Sequence, residues 1–297
     1  MFYERNKVLT MLEQRKIPLG IQCFTGNTEL VEVMGATGFD FVMFDCVHSG
    51  NDVRAMEELV RTATLAGMAS YIRVPDAHNE TDVRRALEAG AEGLVLREVH
   101  SVDDIKAAAN AAYFLPKGDR RICPSTRSAN YNFRRIVEFT ERNNRAVTLV
   151  PEIENPDGVA HVEEICAHPD VHMLIFAQGN LAFKSGEGNA MDKGAQTAVD
   201  YQTVLHVAKK HNVAVIGGPV LTPTAEACRK ALQDGVTVFC LGLDSMGFRS
   251  WCEDTVRALA DGVEGASEWT RPPVPETGFT DDRPAQSKAV PKATHAA

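Results

Sequence analysis

No run of about 18 apolar residues occurs in this 297-residue chain, so no segment is long enough to cross a bilayer as a helix. None of the seven cysteines (Cys23, Cys46, Cys123, Cys166, Cys228, Cys240, Cys252) forms a CxxC pair. Several sit in apolar runs, which predicts reduced thiols in an intracellular setting rather than a disulfide framework or a Cys-ligated metal. Positive charge is also scarce: 31 Lys and Arg face 40 Asp and Glu, for a net charge of -9. No basic stripe interleaved with aromatics appears, so nucleic acid and anionic membrane are excluded as main partners. The first apolar run, PLGIQCFTGNTEL, is not followed by GxGxxG, and no P-loop is present, so the common nucleotide-binding motifs are missing. The opening residues MFYERNKVLTMLEQRK are charged and amphipathic, unlike a signal peptide. A soluble, cytoplasmic protein is expected. With 44% hydrophobic residues the chain can bury a substantial core.

What is present is an alternation. Short apolar, β-branched runs begin near residues 18, 38, 69, 93, 146, 171, 213 and 237, and each is followed by an amphipathic helical pattern. The runs suit strands buried on both faces, as a parallel sheet requires. Eight βα units in this length predict a single-domain (β/α)₈ TIM barrel over residues 1–265, and the missing fingerprint argues against a doubly wound open sheet. Two segments stand apart. Residues 113–146 read as one long, arginine-rich connection, of a size that often carries function. Residues 266–297 are rich in Pro, Thr and charge and read as an extended or disordered tail.

In such a barrel the residues at the C-terminal ends of the strands face the active-site mouth. Those positions hold Asp45 and His48, Arg73, Arg97 and Glu98, Glu152 and Glu154, and Gln178 and Asn180. Glu152 and Glu154 are one residue apart, so both leave the same face of a strand. Two carboxylates that close need a cation, an arginine or a proton between them, or else mark a solvated strand end. An oxygen-only site would suit Mg²⁺ or Mn²⁺. Arg73 lies inside the apolar run SYIRVPD, as if reaching a bound anion or an internal salt bridge. His48 has the side chain whose ordinary pKa is nearest neutrality and is the natural general base, with Asp45 placed to orient it. Cys46 and Cys123 lie near the presumed site, but no base partner marks either as a nucleophile.

Taken in order, these segments resemble the HpcH/HpaI family of class II pyruvate aldolases over roughly residues 15–260. GATGFDFVMFD is similar to that family's A-G-F-D-[WF]-hydrophobic-D segment, VHSGNDV to E-H-x-x-N-D, and YIRVPD to V-R-x-P. ALEAGAEGLVLREV, LPKGDRR, PEIENPDGV and FAQGNLA are similar to the family's L-D-x-G-A-x-G, Y-P-P-x-G-x-R-G, Q-x-E-[ST]-x-x-[AG] and I-G-P-x-D-L-[SA] segments. The resemblance implies a metal-dependent barrel using Mg²⁺, Mn²⁺ or Co²⁺, assembled as a homo-oligomer, commonly a hexamer of dimers that exchange a terminal helix. An exchanged helix is expected near residues 250–259. It also implies roles: His48 as the catalytic histidine with Asp45 beside it, Arg73 as the arginine that binds the 2-oxo acid, Glu154 as a metal ligand, and Arg120 as the arginine of G-x-R. With Arg121 and Arg127, Arg120 is expected either to guard the mouth or to form interface salt bridges; Arg97 and Gln178 are further substrate contacts.

Three positions depart from the pattern. Val47 replaces the glutamate of E-H, Glu152 stands where glutamine is usual, and Asn180 stands where the second metal-binding aspartate is usual. Either Glu152 has taken over the charge that Asn180 lacks, or metal binding is lost and Arg73 stabilises the oxyanion, with Arg97 as its only helper. The implied reaction is reversible aldol cleavage of a 4-hydroxy-2-oxo acid to pyruvate, or a related 2-oxo acid, and an aldehyde. Oxaloacetate decarboxylation uses the same enolate. A CoA-thioester lyase of the citrate-lyase β type and a non-catalytic binder on an aldolase scaffold are the alternatives.

Overall fold

Eight short apolar runs become eight parallel strands that hydrogen-bond in sequence order and close on themselves as a barrel. The structure is a computed structural model and describes residues 6–187, 195–217 and 224–263. The first half runs α1 (Lys7–Glu13), β1 (Leu19–Cys23), α2 (Thr28–Ala36), β2 (Phe41–Asp45), α3 (Val53–Leu65), β3 (Ala69–Val74), α4 (Glu80–Glu88), β4 (Gly93–Leu96) and α5 (Val102–Ala112). It continues through α6 (Ile136–Ala146), β5 (Thr148–Ile153), α7 (Pro156–Ala160), α8 (Val162–Ala167), β6 (Met173–Phe176) and α9 (Gln178–Lys184). The last elements are α10 (Ala195–Lys210), β7 (Ala214–Gly217), α11 (Ala225–Asp234), β8 (Val238–Leu243) and α12 (Asp244–Gly262). The (β/α)₈ expectation holds. By contact density, residues up to Arg249 form one unit that contains the barrel, and the chain from Ser250 groups separately. The expected tail, 266–297, lies outside the described residues.

Alternation along each strand separates two cores. Val42, Ile72, Leu94 and Leu174 point outward into the layer between sheet and helices, whereas Phe41, Met43, Tyr71, Val95, Val150 and Ile175 fill the barrel. The interior is crowded enough that glycine is required beside its largest rings. A Cβ on Gly20 would stand 2.2 Å from the Phe41 ring, and one on Gly93 2.4 Å from Tyr71. Those two rings meet edge to face at 5.6 Å, a preferred aromatic geometry.

The amino-terminal helix closes the floor of the barrel. Val8, Leu9 and Leu12 of α1 pack onto the interior cluster. Asn6 caps the helix, accepting from the Leu9 N–H at 3.1 Å, and its amide donates to the carbonyls of Glu92 and Ala146. Beneath it the Glu92 carboxylate accepts from the Lys7 N–H at 3.1 Å, yet it is only 2% exposed. Burial pushes its pKa from 4.5 up to about 7, against the pull of the Lys7 N–H and the Lys7 charge; Tyr71 is the other titratable group whose charge couples to it. A carboxyl with a raised folded-state pKa carries no penalty below its unfolded value, a growing one as pH rises from 4.5 to about 7, and the full penalty above. The penalty is at most about 3 kcal/mol. Glu92→Gln should therefore raise Tm more at pH 8 than at pH 5, and an equal Tm change at both pH values would show that this carboxyl folds at its ordinary pKa.

One element expectation is corrected. Residues 113–146 are not all connection: their last third is α6, which buries Phe139 and Ala146 while a run of Arg, Asn and Glu masks its period. The helical pattern after β5 is two short helices meeting at His161, whose ψ of 10° breaks the α-helical turn. Residues 178–184 form α9.

Candidate active site

The inward parity of Phe41 and Met43 brings Asp45 to the mouth, and that of Ala69 and Tyr71 brings Arg73, its direct cross-strand partner. The parity of Val150 continues through Glu152 to Glu154. All four side chains are buried, with residue exposures of 2% to 7%. The Arg73 guanidinium touches each carboxylate: Nε to Glu152 Oε2 at 2.7 Å, Nη1 to Asp45 Oδ2 at 3.1 Å and Nη2 to Glu154 Oε1 at 3.8 Å. The two glutamates predicted to share a strand face do so, around one cation. Burial opposes the Arg73 charge, but Glu152, Asp45 and Glu154 outweigh it and push its pKa further up. Glu152 is pushed up to about 7 by burial and by neighbouring Glu154, despite Arg73.

The loop after β2 is tied by its own side chains. Asp45 Oδ1 accepts from the backbone N–H groups of Val47 and His48, at 3.0 and 2.6 Å. The Asp45 carbonyl accepts from Ser49 Oγ and from Asn51 Nδ2, and Asp52 then caps α3. Asp45 thus fixes His48 through the backbone and not, as the sequence suggested, through the imidazole. A three-residue spacing on a tight turn sets a carboxylate under backbone N–H groups. The His48 side chain is exposed at the rim. Cys46 is 9% exposed, and burial with Asp45 nearby pushes its thiol up to about 12, so it is inert as a nucleophile at neutral pH.

Opposite, Glu154 Oε1 accepts from the Glu98 N–H at 2.8 Å, and Oε2 accepts from Asn180 Nδ2 in the first turn of α9. Gln178 opens that helix, half-buried. Glu98 has a left-handed backbone, φ +49°, and its carboxylate bridges Arg97 Nη2 at 2.7 Å and Lys184 Nζ at 2.6 Å. Sequence reasoning missed Lys184, which sits in an ordinary helical stretch. It also missed Asp244, which accepts from the Phe24 and Thr25 N–H groups and the Thr25 hydroxyl and so fastens the end of β8 to the loop after β1.

Arg120 is placed elsewhere. It is 5% exposed, donates to Ala112 O and Asn143 Oδ1, and lies 4.6 Å over the Phe114 ring. Burial pulls its pKa down to about 10. Because α5 runs back from the mouth, its last carbonyls lie at the opposite end of the barrel, where Arg120 acts as a strut between α5 and α6. Arg127 likewise bonds Ala89 O and Thr64 Oγ1 at the C-terminal ends of α4 and α3. The expectation that Arg120 and Arg127 guard the mouth is corrected, since both bind helix C-termini on the floor side, while Arg121 lines a pocket along α4 with Glu80, Arg84 and Glu88.

The charge balance bears on a cation. Asp45, Glu152 and Glu154 set three formal negative charges against the single positive charge of Arg73. The surplus equals the charge of a divalent ion, and carboxylate with carboxamide oxygens suits a hard one. Glu152, Glu154 and Asn180 thus fit such an ion in donor type and charge. As they stand, Glu152 faces Arg73 and Asn180 faces Glu154. Among the described residues no group of three or more His, Cys, Asp and Glu side chains is arranged as a metal centre.

Among solved structures, an HpcH/HpaI aldolase/citrate lyase family protein from Burkholderia cenocepacia J2315 superposes with a TM-score of 0.77 at 24% identity, over 86% of this chain and 99% of that one. Macrophomate synthase superposes with a TM-score of 0.75 at 22% identity, over 86% of this chain and 89% of that one. These show a shared fold. In sequence the chain is 27% identical to 5-keto-4-deoxy-D-glucarate aldolase of Klebsiella pneumoniae over 87% of its own length and 97% of the relative's. The Escherichia coli enzyme of the same name is also 27% identical, over 82% and 93%. The family model for HpcH/HpaI aldolase/citrate lyase matches residues 23–250. The chain belongs to the HpcH/HpaI aldolase/citrate lyase family and is an enzyme of the class II aldolase type.

Proposed function

We propose that the chain catalyses reversible aldol cleavage of a 4-hydroxy-2-oxo acid to pyruvate, or a related 2-oxo acid, and an aldehyde. The observation that carries this reading is the single buried guanidinium held at the mouth by three carboxylates from the ends of two strands, β2 and β5. Breaking the C3–C4 bond leaves its electron pair on C3 as an enolate, whose negative oxygen needs fixed donors in a dry site. Arg73 is such a donor: its three neighbours hold the guanidinium rigid, so little reorganisation accompanies the reaction. His48, exposed on the tied loop, takes the proton of the 4-hydroxyl during cleavage and returns it during addition. Glu154, Glu152 and Asn180 would hold a divalent cation, which when bound supplies Lewis-acid polarisation of the 2-oxo acid's ketone. The glucarate named in the relatives motivates a polyhydroxylated acid as the natural substrate.

Exchange of pyruvate's methyl protons in D₂O with added Mn²⁺, followed by NMR, tests the reading without knowing the aldehyde. Exchange is expected in the native protein and should fall by about 10²-fold or more in His48→Gln or Arg73→Lys; no exchange in the native protein would sink it. A homo-oligomer is part of the same reading, since α12 leaves Phe248, Trp251 and Leu259 exposed at 61%, 62% and 44%, more apolar surface than one helix usually gives to water. Sedimentation velocity showing only monomer at micromolar concentration would remove that part.

A further inference from the structure

We propose that the floor of the barrel carries an anion site separate from the mouth, where Arg127, Arg142 and Asn143 hold one tetrahedral oxyanion, with inorganic phosphate as its occupant. Residues 113–146 hold eight Lys and Arg against three Asp and Glu, in a chain whose net charge is -9. Part of that positive charge surrounds a cavity of about 40 Å³ beyond the C-terminal end of α4, lined by Glu92, Arg127, Ser128, Phe139, Arg142 and Asn143. About 10–15 Å³ is enough for one water, so the space admits a small ion but not the body of a metabolite. Arg127 gives Nη1 to Ala89 O at 2.9 Å and Nη2 to Thr64 Oγ1 at 3.0 Å. Both acceptors are neutral, so among the described residues these bonds leave its charge uncompensated. The chain reserves the room that this guanidinium fills: a Cβ on Gly90 would stand 2.3 Å from Nη1.

The other donors come from α6. Arg120 gives Nη1 to Asn143 Oδ1 at 3.0 Å, which fixes that carboxamide and leaves Nδ2 to donate. Arg120 is itself buried and has only neutral acceptors in Ala112 O and Asn143 Oδ1, so a further positive charge stands behind Asn143. Arg142 pairs with Glu138 at the surface. Two guanidinia and a carboxamide on two segments suit a tetrahedral oxyanion better than a flat carboxylate, which a single guanidinium can satisfy. At the cavity, Arg127 and Arg142 set against Glu138 leave one positive charge. Glu92 decides whether that surplus survives. Its carboxylate accepts from the Lys7 N–H, and burial pushes its pKa up to about 7. The groups that face it are Lys7 of α1, itself paired with Asp40, Tyr71 of β3, whose buried phenol stays neutral, and Arg127 and Arg142 around the cavity. Below pH 7 Glu92 is mostly neutral and the surplus attracts an anion; above it the ionised carboxylate cancels the surplus.

The test uses sulfate, whose charge is constant between pH 6 and pH 8, titrated calorimetrically at fixed ionic strength. The native protein should bind sulfate more tightly than acetate, and about three- to tenfold more tightly at pH 6 than at pH 8. Arg127→Gln and Arg142→Gln should each raise Kd about tenfold or more, whereas Lys184→Gln at the mouth should leave it unchanged. Glu92→Gln should tighten binding at pH 8 and remove the pH dependence, a gain that variants which merely fold poorly cannot produce. Inorganic phosphate should bind at least as tightly as glycerol 3-phosphate. No sulfate binding by the native protein, acetate bound as tightly, native affinity in both arginine variants, loss of binding in Lys184→Gln, or no gain in Glu92→Gln at pH 8 would each overturn the proposal. Tighter binding of glycerol 3-phosphate would overturn the free ion as occupant. No arm requires turnover, so absence of pyruvate exchange would remove the aldol reading and leave this test intact.

Discussion

Arg73→Met should lose both activity and fold stability, whereas Arg73→Lys should lose mainly activity. The methionine leaves Asp45, Glu152 and Glu154 buried with no cation among them. Removing one partner from a buried ion pair typically costs about 3–5 kcal/mol, because the remaining charges stay desolvated. Part of that cost is relieved by protonation. Glu152, already raised to about 7 by burial, takes up the first proton, so the stability deficit of Arg73→Met should shrink as pH falls below 7 and be largest at pH 8. Lysine supplies the charge but not the fork: one ammonium cannot donate along the three directions that Nε, Nη1 and Nη2 now serve. Its Tm should stay near that of the native protein while pyruvate exchange drops by about 10²–10³-fold, the usual effect of a lost oxyanion donor. Differential scanning calorimetry at pH 6 and pH 8 beside the exchange assay would separate the two effects. If Arg73→Lys exchanged at the native rate, the guanidinium would be structural and the enolate would be stabilised elsewhere.

Fold and site differed in how far they could be read from the sequence. Each barrel strand announced itself because burial on both faces demands a continuous apolar run, and SYIRV stood out because a charge interrupts one. Glu152 and Glu154 were legible as a pair because strand parity is fixed at two residues. Helix α6 was not legible: its apolar contribution is little more than Phe139 and Ala146, and the surrounding Arg and Asn residues have the composition of a loop. Arg120 was misplaced for a related reason. A residue's rank along a βα unit tells which end of the barrel it occupies only once the helix endpoints are known, and Gly118 and Asp119, which bond back to the carbonyls of Phe114 and Asn110, turn that chain along the floor. Lys184 carries no local signal at all. Its role arises from Glu98, 86 residues away in sequence, and only the closed sheet brings them together.

Asn180→Asp should strengthen divalent-cation binding, and Glu152→Gln should weaken it. The argument is one of charge placed around a common point. Asn180 donates its amide to Glu154, so an aspartate there would set a new carboxylate against an existing one, and without metal the pair must repel or share a proton. Apo Asn180→Asp should therefore melt below the native protein, and added Mn²⁺ should raise its Tm by a larger increment, because the ion binds the folded state alone. Mn²⁺ titrations followed by electron paramagnetic resonance should show Kd tightened by about tenfold or more, roughly 1.4 kcal/mol per decade. Glu152→Gln removes a carboxylate that Arg73 now occupies at 2.7 Å, so it should lower the number of charges around a bound ion and raise Kd by a similar factor. The double variant Glu152→Gln with Asn180→Asp keeps the total charge and merely moves it from β5 to α9, and its Kd should return close to the native value. That rescue distinguishes a relocated ligand charge from two unrelated lesions. If Glu152→Gln left Mn²⁺ affinity untouched, Glu152 would belong to Arg73 alone, and the cation would have only Glu154 and Asn180 to hold it.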